Sequence, residues 1–265
     1  MAHALRPVNL DFLGEAPVRL EFTASVTAAP DEVFRRISGD PGLWSAWFPG
    51  VTEGGYDGDA PPRVGSRRWV RMGETRYRET VLAWDAPVRW TYRLDESTDD
   101  SVAALIEDWR VEADGEQSLV HWTIAVDPRA DIADSFAKAE GTIGEMFHQA
   151  MTNLGNWLTM KDRQLGPIGT EVIYEDDRVR LWRLELEPGE RSAVHRHELD
   201  NILIMISGDR IAAIPEPDTQ GEYPGFIAAD IFPFMVVPVK KGGVETAVNI
   251  GQERYREVIV ELKGT

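Results

Sequence analysis

The spacing of apolar residues changes once within the first 160 residues, and this change limits the folds that the chain can adopt. From Val18 to Val26 apolar and polar residues alternate, which indicates an antiparallel strand with one buried face. Further strands are predicted at about 66–72, 75–85, 88–95, 101–113 and 117–127. Between about 132 and 160 the apolar residues instead fall three, four or seven positions apart, which predicts that one long amphipathic helix follows the sheet. These positions are Phe136, Ile143, Phe147, Met151, Leu154 and Leu158.

The charge and the cysteine content exclude several classes of function. Forty-five acidic residues against 28 Lys and Arg give a net charge of −17, which repels phosphate backbones and argues against a nucleic-acid partner. The chain has no cysteine, so disulfides, thiolate metal sites and a cysteine nucleophile are excluded. We expect a cytoplasmic protein without a signal peptide or a membrane span. The first residues lack a basic stretch followed by an apolar run, and no window approaches ~18 apolar residues.

The opening of the first half and its later strands together resemble a known family. Pro30 stands in the first turn of a predicted helix with Asp31 and Glu32 behind it, as is usual where helices begin. The other segments that carry the likeness are 27–34, 44–49, 64–68, 78–85 and the long helix. Over about residues 16–160 the chain resembles the START/polyketide cyclase superfamily (SRPBCC). The resemblance implies a helix-grip α+β fold, in which a curved antiparallel sheet wraps around the long helix and leaves a deep, mostly apolar cavity.

Alternation along the predicted strands places carboxylates on the face that would line this cavity. Glu107 shares a face with apolar neighbours, and Glu79 shares one with Tyr77. A buried carboxylate has a raised pKa unless it is paired, so one interpretation has Glu79 and Glu107, with Tyr77 or Tyr92, acting as acid–base groups on an enolisable ligand. The alternative is structural ion pairing, which is the commoner role of such residues. The candidate partners are Arg68, Arg76 and Arg110.

Large aromatic residues are expected to form the wall of the cavity. Residues of this kind usually serve packing and cavity lining rather than a specific stacking role. The candidates are Trp44, Trp47, Trp90, Trp109 and Phe147. The ligand is accordingly expected to be a small hydrophobic or aromatic molecule.

A polar and then Gly/Pro-rich segment at 161–169 separates two different patterns. We therefore divide the chain into an N-terminal extension (1–15), a cavity domain (16–162), a linker (163–169) and a second domain (170–265). Short strands without a helical pattern predict that the second domain is an all-β barrel or jelly roll. The predicted strands are 171–175, 178–187, 192–197, 201–207, 209–214, 230–238, 244–249 and 255–263, with an inserted loop at 215–229.

Two spaced motifs in the second domain resemble those of small bacterial cupins, over about residues 170–263. His195 and His197 have the spacing of the first cupin motif, but Asn201 stands where that motif has Glu. In the second motif Glu245 stands where a His is usual. The resemblance implies a cupin jelly-roll barrel whose metal motif is altered at two of four positions.

The altered motif leaves two interpretations. In cupins three His and one Glu hold iron, manganese, nickel or zinc. Here His195, His197 and Glu245 would form a two-His-one-carboxylate set for one divalent transition metal, with Asn201 as a weak oxygen ligand. The alternative is a degenerate barrel without a metal, in which the two His only form hydrogen bonds in the pocket.

Three functions remain open from the sequence. The first, which we favour, is a cyclase- or dehydratase-like enzyme of small-molecule metabolism that positions a reactive compound and shuttles protons. The second is a carrier or sensor of a hydrophobic ligand, with the cupin as a dimerisation module. The third is a metal-dependent oxygenase or isomerase in the barrel. The resemblance to cupins also implies a homodimer.

Overall fold

The computed structural model describes residues 2–129, 138–161 and 163–264. The chain forms two compact units, Met1–Thr159 and Met160–Thr265. The predicted helix position Phe136 lies outside the described residues. Within the described ranges, no helix combines the length and the apolar character needed to cross a membrane.

The first unit is an antiparallel sheet accompanied by few helices, which confirms the predicted α+β class. Its strands are β1 (His3–Ala4), β2 (Val18–Val26), β3 (Val51–Tyr56), β4 (Arg67–Met72), β5 (Thr75–Asp85), β6 (Arg89–Ser97), β7 (Val102–Asp114) and β8 (Gln117–Pro128). Its described helices are α1 (Phe12–Glu15), α2 (Pro30–Ser38), α3 (Glu140–Thr159) and a 3₁₀ turn at Pro41–Ala46. The strands run in the order β2-β8-β7-β6-β5-β4-β3, and β1 pairs with β6 beside this path.

Strand β3 is not predicted from the sequence, because two glycines weaken the strand pattern of Val51–Tyr56. The structure shows what one of these glycines does. A Cβ atom at Gly54 would lie 2.9 Å from the backbone of Pro41, which opens the 3₁₀ turn that carries Trp44. Gly54 therefore lets the aromatic turn pack directly against the sheet.

Helix α3 packs against β2. The ring of Phe147, which is buried on this helix, has its centroid 6.0 Å from that of Phe22 on β2. A Cβ atom at Gly144 would come within 3.0 Å of the Phe22 ring, so the glycine permits this close approach. Ile143 and Met146 of the same helix face the cavity described below.

Residues 2–15 include segments that pack onto the sheet. Strand β1 pairs with the end of β6, and Val8 and Phe12 pack against apolar residues of β7 and β8, among them Ile106. Ile106 precedes Glu107, and neighbouring residues of a strand point to opposite faces. The N-terminal residues therefore cover the face of β7 opposite the face that carries Glu107.

The second unit consists of two antiparallel sheets, the arrangement expected for a cupin barrel. Its strands are β9 (Glu171–Glu175), β10 (Val179–Leu186), β11 (His195–Arg196), β12 (Asn201–Ser207), β13 (Arg210–Pro215), β14 (Ile227–Asp230), β15 (Val236–Val239), β16 (Val244–Asn249) and β17 (Tyr255–Leu262). One sheet has the order β15-β12-β17-β10-β9, and the other has the order β11-β16-β13-β14. Its buried apolar core includes Leu184, Met205 and Ile259.

Three predicted segments of the second unit have the wrong bounds. The predicted strand 230–238 is two strands, β14 and β15, and β14 begins inside the predicted loop 215–229. The reason is that β14 pairs with β13 in one sheet while β15 pairs with β12 in the other, so the chain has to cross between sheets. Of the predicted strand 192–197, only His195–Arg196 is a strand.

Candidate functional site

A cavity of about 210 Å³ lies in the first unit. Its wall is largely apolar and includes Trp122 and Leu105 from the sheet and Ile143 from α3. All four residues considered above for acid–base chemistry line it: Tyr77, Glu79, Tyr92 and Glu107. The structure therefore brings together on one surface residues that come from β5, β6 and β7.

The pairing of strands explains why these groups meet. Arg68 on β4 is directly opposite Glu79 on β5, and Tyr92 on β6 is directly opposite Glu107 on β7. Side chains at opposed positions of an antiparallel pair lie close together on the same face. Glu79 and Glu107 thus each have a polar partner on a neighbouring strand.

Arg68 is a buried cation in the wall of the cavity, and its side chain is 1% exposed. Its Nε donates a hydrogen bond to Oε2 of Glu79, so the ion pair that was the alternative interpretation of Glu79 is present. The guanidinium carbon lies 4.8, 4.4 and 4.3 Å from the ring centroids of Trp44, Trp90 and Tyr92. Its Nη1 is buried and has no hydrogen-bond partner among the described residues.

Glu107 is held by neutral donors rather than by a cation. The hydroxyl of Tyr92 and Nε1 of Trp122 both donate to its Oε2, the latter at 2.8 Å. Burial raises the pKa of Glu107 above its ordinary value, although these hydrogen bonds oppose the shift. Burial also raises the pKa of Glu79 to about 7, against the opposing effect of Arg68. Both carboxyl groups therefore titrate at a higher pH than exposed ones.

The aromatic residues predicted to form the wall occupy two layers. Trp44 lines the cavity, whereas the other four are buried behind the lining. Those four are Trp47, Trp90, Trp109 and Phe147. They pack against lining residues: the ring centroid of Trp47 lies 4.9 Å from that of Trp44, and Trp109 stacks on Trp122 at 5.0 Å. Of these five residues, Trp44 reaches the cavity surface, and the other four lie behind the residues that do.

A second cavity, of about 300 Å³, lies in the second unit. Its lining includes His195, His197 and Glu245 among mostly apolar residues. Glu245 on β16 is directly opposite His195 on β11. The nitrogen and oxygen atoms that these three residues offer lie within 4.8 Å of one another, close enough that the group could hold a metal ion.

Whether the two histidines fit a metal site depends on which ring nitrogen, Nδ1 or Nε2, carries the proton. A ligating His usually donates its second N–H to an acceptor. Nδ1 of His195 lies 2.9 Å from the carbonyl oxygen of Ala193, which can only accept, so Nδ1 carries the proton and Nε2 keeps its lone pair. Burial lowers the pKa of His195 and favours this neutral form. His195 therefore fits a metal ligand.

His197 does not fit. The amide nitrogen of Asn201 lies 2.7 Å from the carbonyl oxygen of Leu199 and 2.8 Å from Nδ1 of His197. Because a carbonyl oxygen requires a donor, the amide nitrogen rather than the amide oxygen faces both groups, and Nδ1 of His197 accepts. The ring proton is then on Nε2, 3.4 Å from Oε1 of Glu245. With its proton on Nε2, His197 has no lone pair there to complete the predicted ligand set, and the amide nitrogen of Asn201 holds His197 in this form. Oδ1 of Asn201 is buried and has no hydrogen-bond partner among the described residues.

Burial alone would raise the pKa of Glu245, but the hydrogen bond from His197 lowers this pKa below its ordinary value. Asp200, the residue before Asn201, forms an ion pair with Lys240 at 2.8 Å.

Tyr255 and Glu257 on β17 also line the second cavity, although the cupin motifs do not point to them. The hydroxyl of Tyr255 donates to Oε2 of Glu257, while Oε1 of Glu257 is buried and has no partner among the described residues. Burial raises the pKa of Glu257 to about 7. The signal was present in the sequence, because Tyr255, Glu257 and Ile259 alternate on one face of a strand.

Comparison with known proteins places the first half of the chain. Residues 17–157 match the family described as polyketide cyclase / dehydrase and lipid transport. An uncharacterized protein of Mycobacterium tuberculosis is 29% identical over 119 residues, which cover 44% of this chain and 71% of that protein.

Two solved structures are similar to parts of the chain. A START superfamily protein from Mycobacterium smegmatis has a TM-score of 0.43 at 13% identity, covering 50% of this chain and 93% of that one. A cupin domain from Bordetella pertussis has a TM-score of 0.32 at 19% identity, covering 38% of this chain and 98% of that one.

The family match spans more than half of the 265 residues and contains every polar residue described above for the first cavity. It confirms the resemblance that the sequence motifs predict for the first half. The chain belongs to the polyketide cyclase / dehydrase and lipid transport family.

Proposed function

We propose that the first unit binds a small, mostly apolar organic molecule with a carbonyl group and acts on it as a cyclase- or dehydratase-like acid–base enzyme. The cavity between the sheet and α3, as in a helix-grip fold, takes the apolar body of this molecule. One observation carries the proposal: a guanidinium group with an unpartnered N–H and a carboxyl group with a raised pKa, those of Arg68 and Glu107, line the same apolar cavity.

Arg68 supplies the group that recognises an oxygen atom of the ligand. Leaving a buried donor unpaired costs about 1–3 kcal/mol, and more for a charged group, so a ligand oxygen at Nη1 is favoured. Glu79 holds the guanidinium group through Nε and is a positioning residue in this scheme. Tyr77 lines the same wall, and burial raises the pKa of its hydroxyl, which keeps it a neutral hydrogen-bond donor.

Glu107 supplies the base. Its carboxylate takes a proton from the carbon next to the ligand carbonyl, and the electron pair of the C–H bond forms an enolate whose oxygen accepts a hydrogen bond from Arg68. In a cyclisation the enolate carbon then bonds to a second carbonyl carbon of the ligand, and protonated Glu107 returns its proton to the new alkoxide. In a dehydration the enolate instead expels a hydroxide from the neighbouring carbon, and the same proton converts that hydroxide to water.

Two further facts agree with this scheme. Tyr92 and Trp122 fix Oε2 of Glu107, so the carboxyl group is held in place before the ligand arrives. The description of the family joins cyclase and dehydrase chemistry with lipid transport, which agrees with acid–base chemistry on a lipophilic ligand.

The test uses 2-tetralone, a bicyclic, apolar and enolisable ketone, with the full chain in D₂O. We expect the protein to accelerate exchange of the α-protons, followed by NMR, and to bind the ketone with quenching of the fluorescence of Trp44 and Trp122. The Glu107→Gln variant is expected to lose about 10²-fold of the acceleration while keeping its affinity for the ketone. The matched control is Glu112→Gln, because Glu112 lies on the same strand with its side chain 62% exposed.

The outcomes separate enzyme from carrier. Binding by the wild type without accelerated exchange would contradict the acid–base role and leave a carrier. Equal binding by a Leu105→Trp variant, which fills the cavity, would show that the ketone binds elsewhere and would contradict the proposed site.

A further inference from the structure

The cavity of the second unit has an acidic lining. Glu245 and Glu257 line it together with His195 and His197, and its described lining contains neither Lys nor Arg. The rest of the lining is apolar apart from two tyrosines. The first cavity differs in this respect, because Arg68 contributes a cation to its wall. A ligand of the second cavity is therefore favoured if it brings positive charge and hydrogen-bond donors of its own.

One buried oxygen in this lining lacks a donor. Glu257 is 4% exposed, and Tyr255 donates to its Oε2. Its Oε1 has no hydrogen-bond partner among the described residues. A buried carboxylate oxygen without a donor or a counter-charge is strongly unfavourable, so a bound molecule that supplies both would stabilise the site.

The hydrogen bonds of the histidines add a further acceptor. His195 donates its Nδ1 proton to a backbone carbonyl oxygen, which leaves a lone pair on Nε2. His197, held by Asn201, directs its Nε2 proton to Glu245. The cavity thus presents Oε1 of Glu257, the carboxylate of Glu245 and Nε2 of His195 as acceptors.

We infer that the second unit binds a small apolar primary amine, with the ammonium group in the place where a cupin would hold a metal ion. A primary ammonium group carries one positive charge and three N–H donors. The three acceptors at Glu257, Glu245 and His195 line the same cavity, and none of the three has to change the hydrogen bonds it already makes. The apolar part of the amine occupies the remainder of the 300 Å³ cavity. A metal, in contrast, would require His197 to give up the proton on Nε2.

Calorimetric titration of the full chain with 2-phenylethylamine at pH 8, where Glu257 is ionised, tests this inference, with 2-phenylethanol and 3-phenylpropionate as ligands of similar shape. We expect the amine to bind at least about tenfold more tightly than either of the other two, because only the amine brings charge-assisted donors. Glu257→Gln and Glu245→Gln should each weaken amine binding by about tenfold or more. Glu253→Gln is the matched control, since Glu253 is exposed and lies close to β17 in sequence.

Other results would overturn the inference. Equal affinity for the amine and the alcohol, or unchanged amine binding by both Gln variants, would show that charge does not select the ligand. One equivalent of iron, manganese, nickel or zinc retained by the wild type and lost from His195→Ala would show that a metal occupies these acceptors. Circular dichroism of each variant checks that a loss of binding is not a loss of fold.

Discussion

Tyr92 and Glu107 lie directly opposite each other on β6 and β7, and the hydroxyl of Tyr92 donates to Oε2 of Glu107. This bond favours the ionised carboxylate and so opposes the rise in the pKa of Glu107 that burial causes. A tyrosine that holds a carboxylate in this way sets both its position and the pH at which it can act as a base.

Replacing Tyr92 by Phe should therefore move the pH dependence of α-proton exchange in 2-tetralone to higher pH. The pKa of Glu107 rises further when a donor to its carboxylate is removed. A higher pH is then needed before Glu107 is ionised and can act as a base. Tyr77→Phe is the control, because it removes a hydroxyl from the same cavity wall. A pH profile that shifts equally in both variants would speak against a specific role of the Tyr92 bond.

Replacing Glu79 by Gln should destabilise the first unit by about 3–5 kcal/mol, because it removes the carboxylate that pairs with the buried guanidinium group of Arg68. Eight of the nine tryptophans precede residue 160 and one, Trp182, follows it, so urea unfolding followed by tryptophan fluorescence reports mainly on this unit. Because the pKa of Glu79 is raised to about 7, the wild type should lose stability relative to the variant as the pH rises from 5.5 to 8, so the destabilisation by the substitution should be larger at pH 5.5.

The control for this experiment is the double variant Arg68→Met, Glu79→Leu, which removes both charges at similar volume. Apolar replacement of a whole buried pair is often nearly neutral, so the double variant should be more stable than the single one. If the double variant is the less stable of the two, the unpaired cation is not the cause of the loss.

The free energy of unfolding of the second unit should fall as the pH rises, because the buried Glu257 loses its proton. The pKa of Glu257 is raised from 4.5 to about 7, so the folded state holds a proton that the unfolded state releases between these values. Its stabilising contribution is complete below pH 4.5 and is lost as the pH rises through about 7. At 1.36 kcal/mol per pKa unit the loss is roughly 3 kcal/mol.

Glu257→Gln keeps the neutral form at every pH, and the difference between wild type and variant isolates this residue from other titrating groups. Scanning calorimetry at pH 5 and pH 8 should show the wild type losing stability relative to the variant. A constant difference across this range would mean that Glu257 does not titrate there.

Replacing Asn201 by Asp should strengthen metal binding at His195, His197 and Glu245. A carboxylate beside Nδ1 of His197 accepts instead of donates, which moves the ring proton to Nδ1 and frees the lone pair on Nε2. We expect the affinity for Ni²⁺, measured by calorimetry on chelator-treated protein, to rise by about 10–100-fold. The same substitution combined with His195→Ala should lose the gain, and tight Ni²⁺ binding by the wild type would contradict the assigned His197 proton.

Much of the first cavity could be predicted from alternation along the strands. The segment Thr75–Asp85 is a strand with the predicted bounds, and period two places Tyr77 and Glu79, and likewise Tyr92 and Glu107, on the cavity face. Alternation shows which face of the sheet a residue lies on but not whether it reaches the cavity. It therefore does not distinguish Trp44, which lines the cavity, from Trp90, which lies behind the lining.

Other features depend on contacts that spacing does not encode. The proton position on His197 follows from a backbone carbonyl at Leu199, which only the folded turn brings beside Asn201. Glu257 lies outside the cupin motifs that drew attention to His195, and its burial depends on the sheet opposite. Strand β3 escapes prediction because its glycine serves the packing of a neighbouring turn rather than the strand itself.

The N-terminal residues have a bearing on how the chain can be shortened. A chain started at residue 17, where the family match begins, would keep every polar group of the first cavity. It would also lose Val8 and Phe12, and with them the cover over the reverse side of β7. Ala104 and Ile106 would then be exposed to solvent, and the strand that positions Glu107 would be less well held. A domain that begins where the family match begins would therefore keep the reactive side chains but not the packing that positions them.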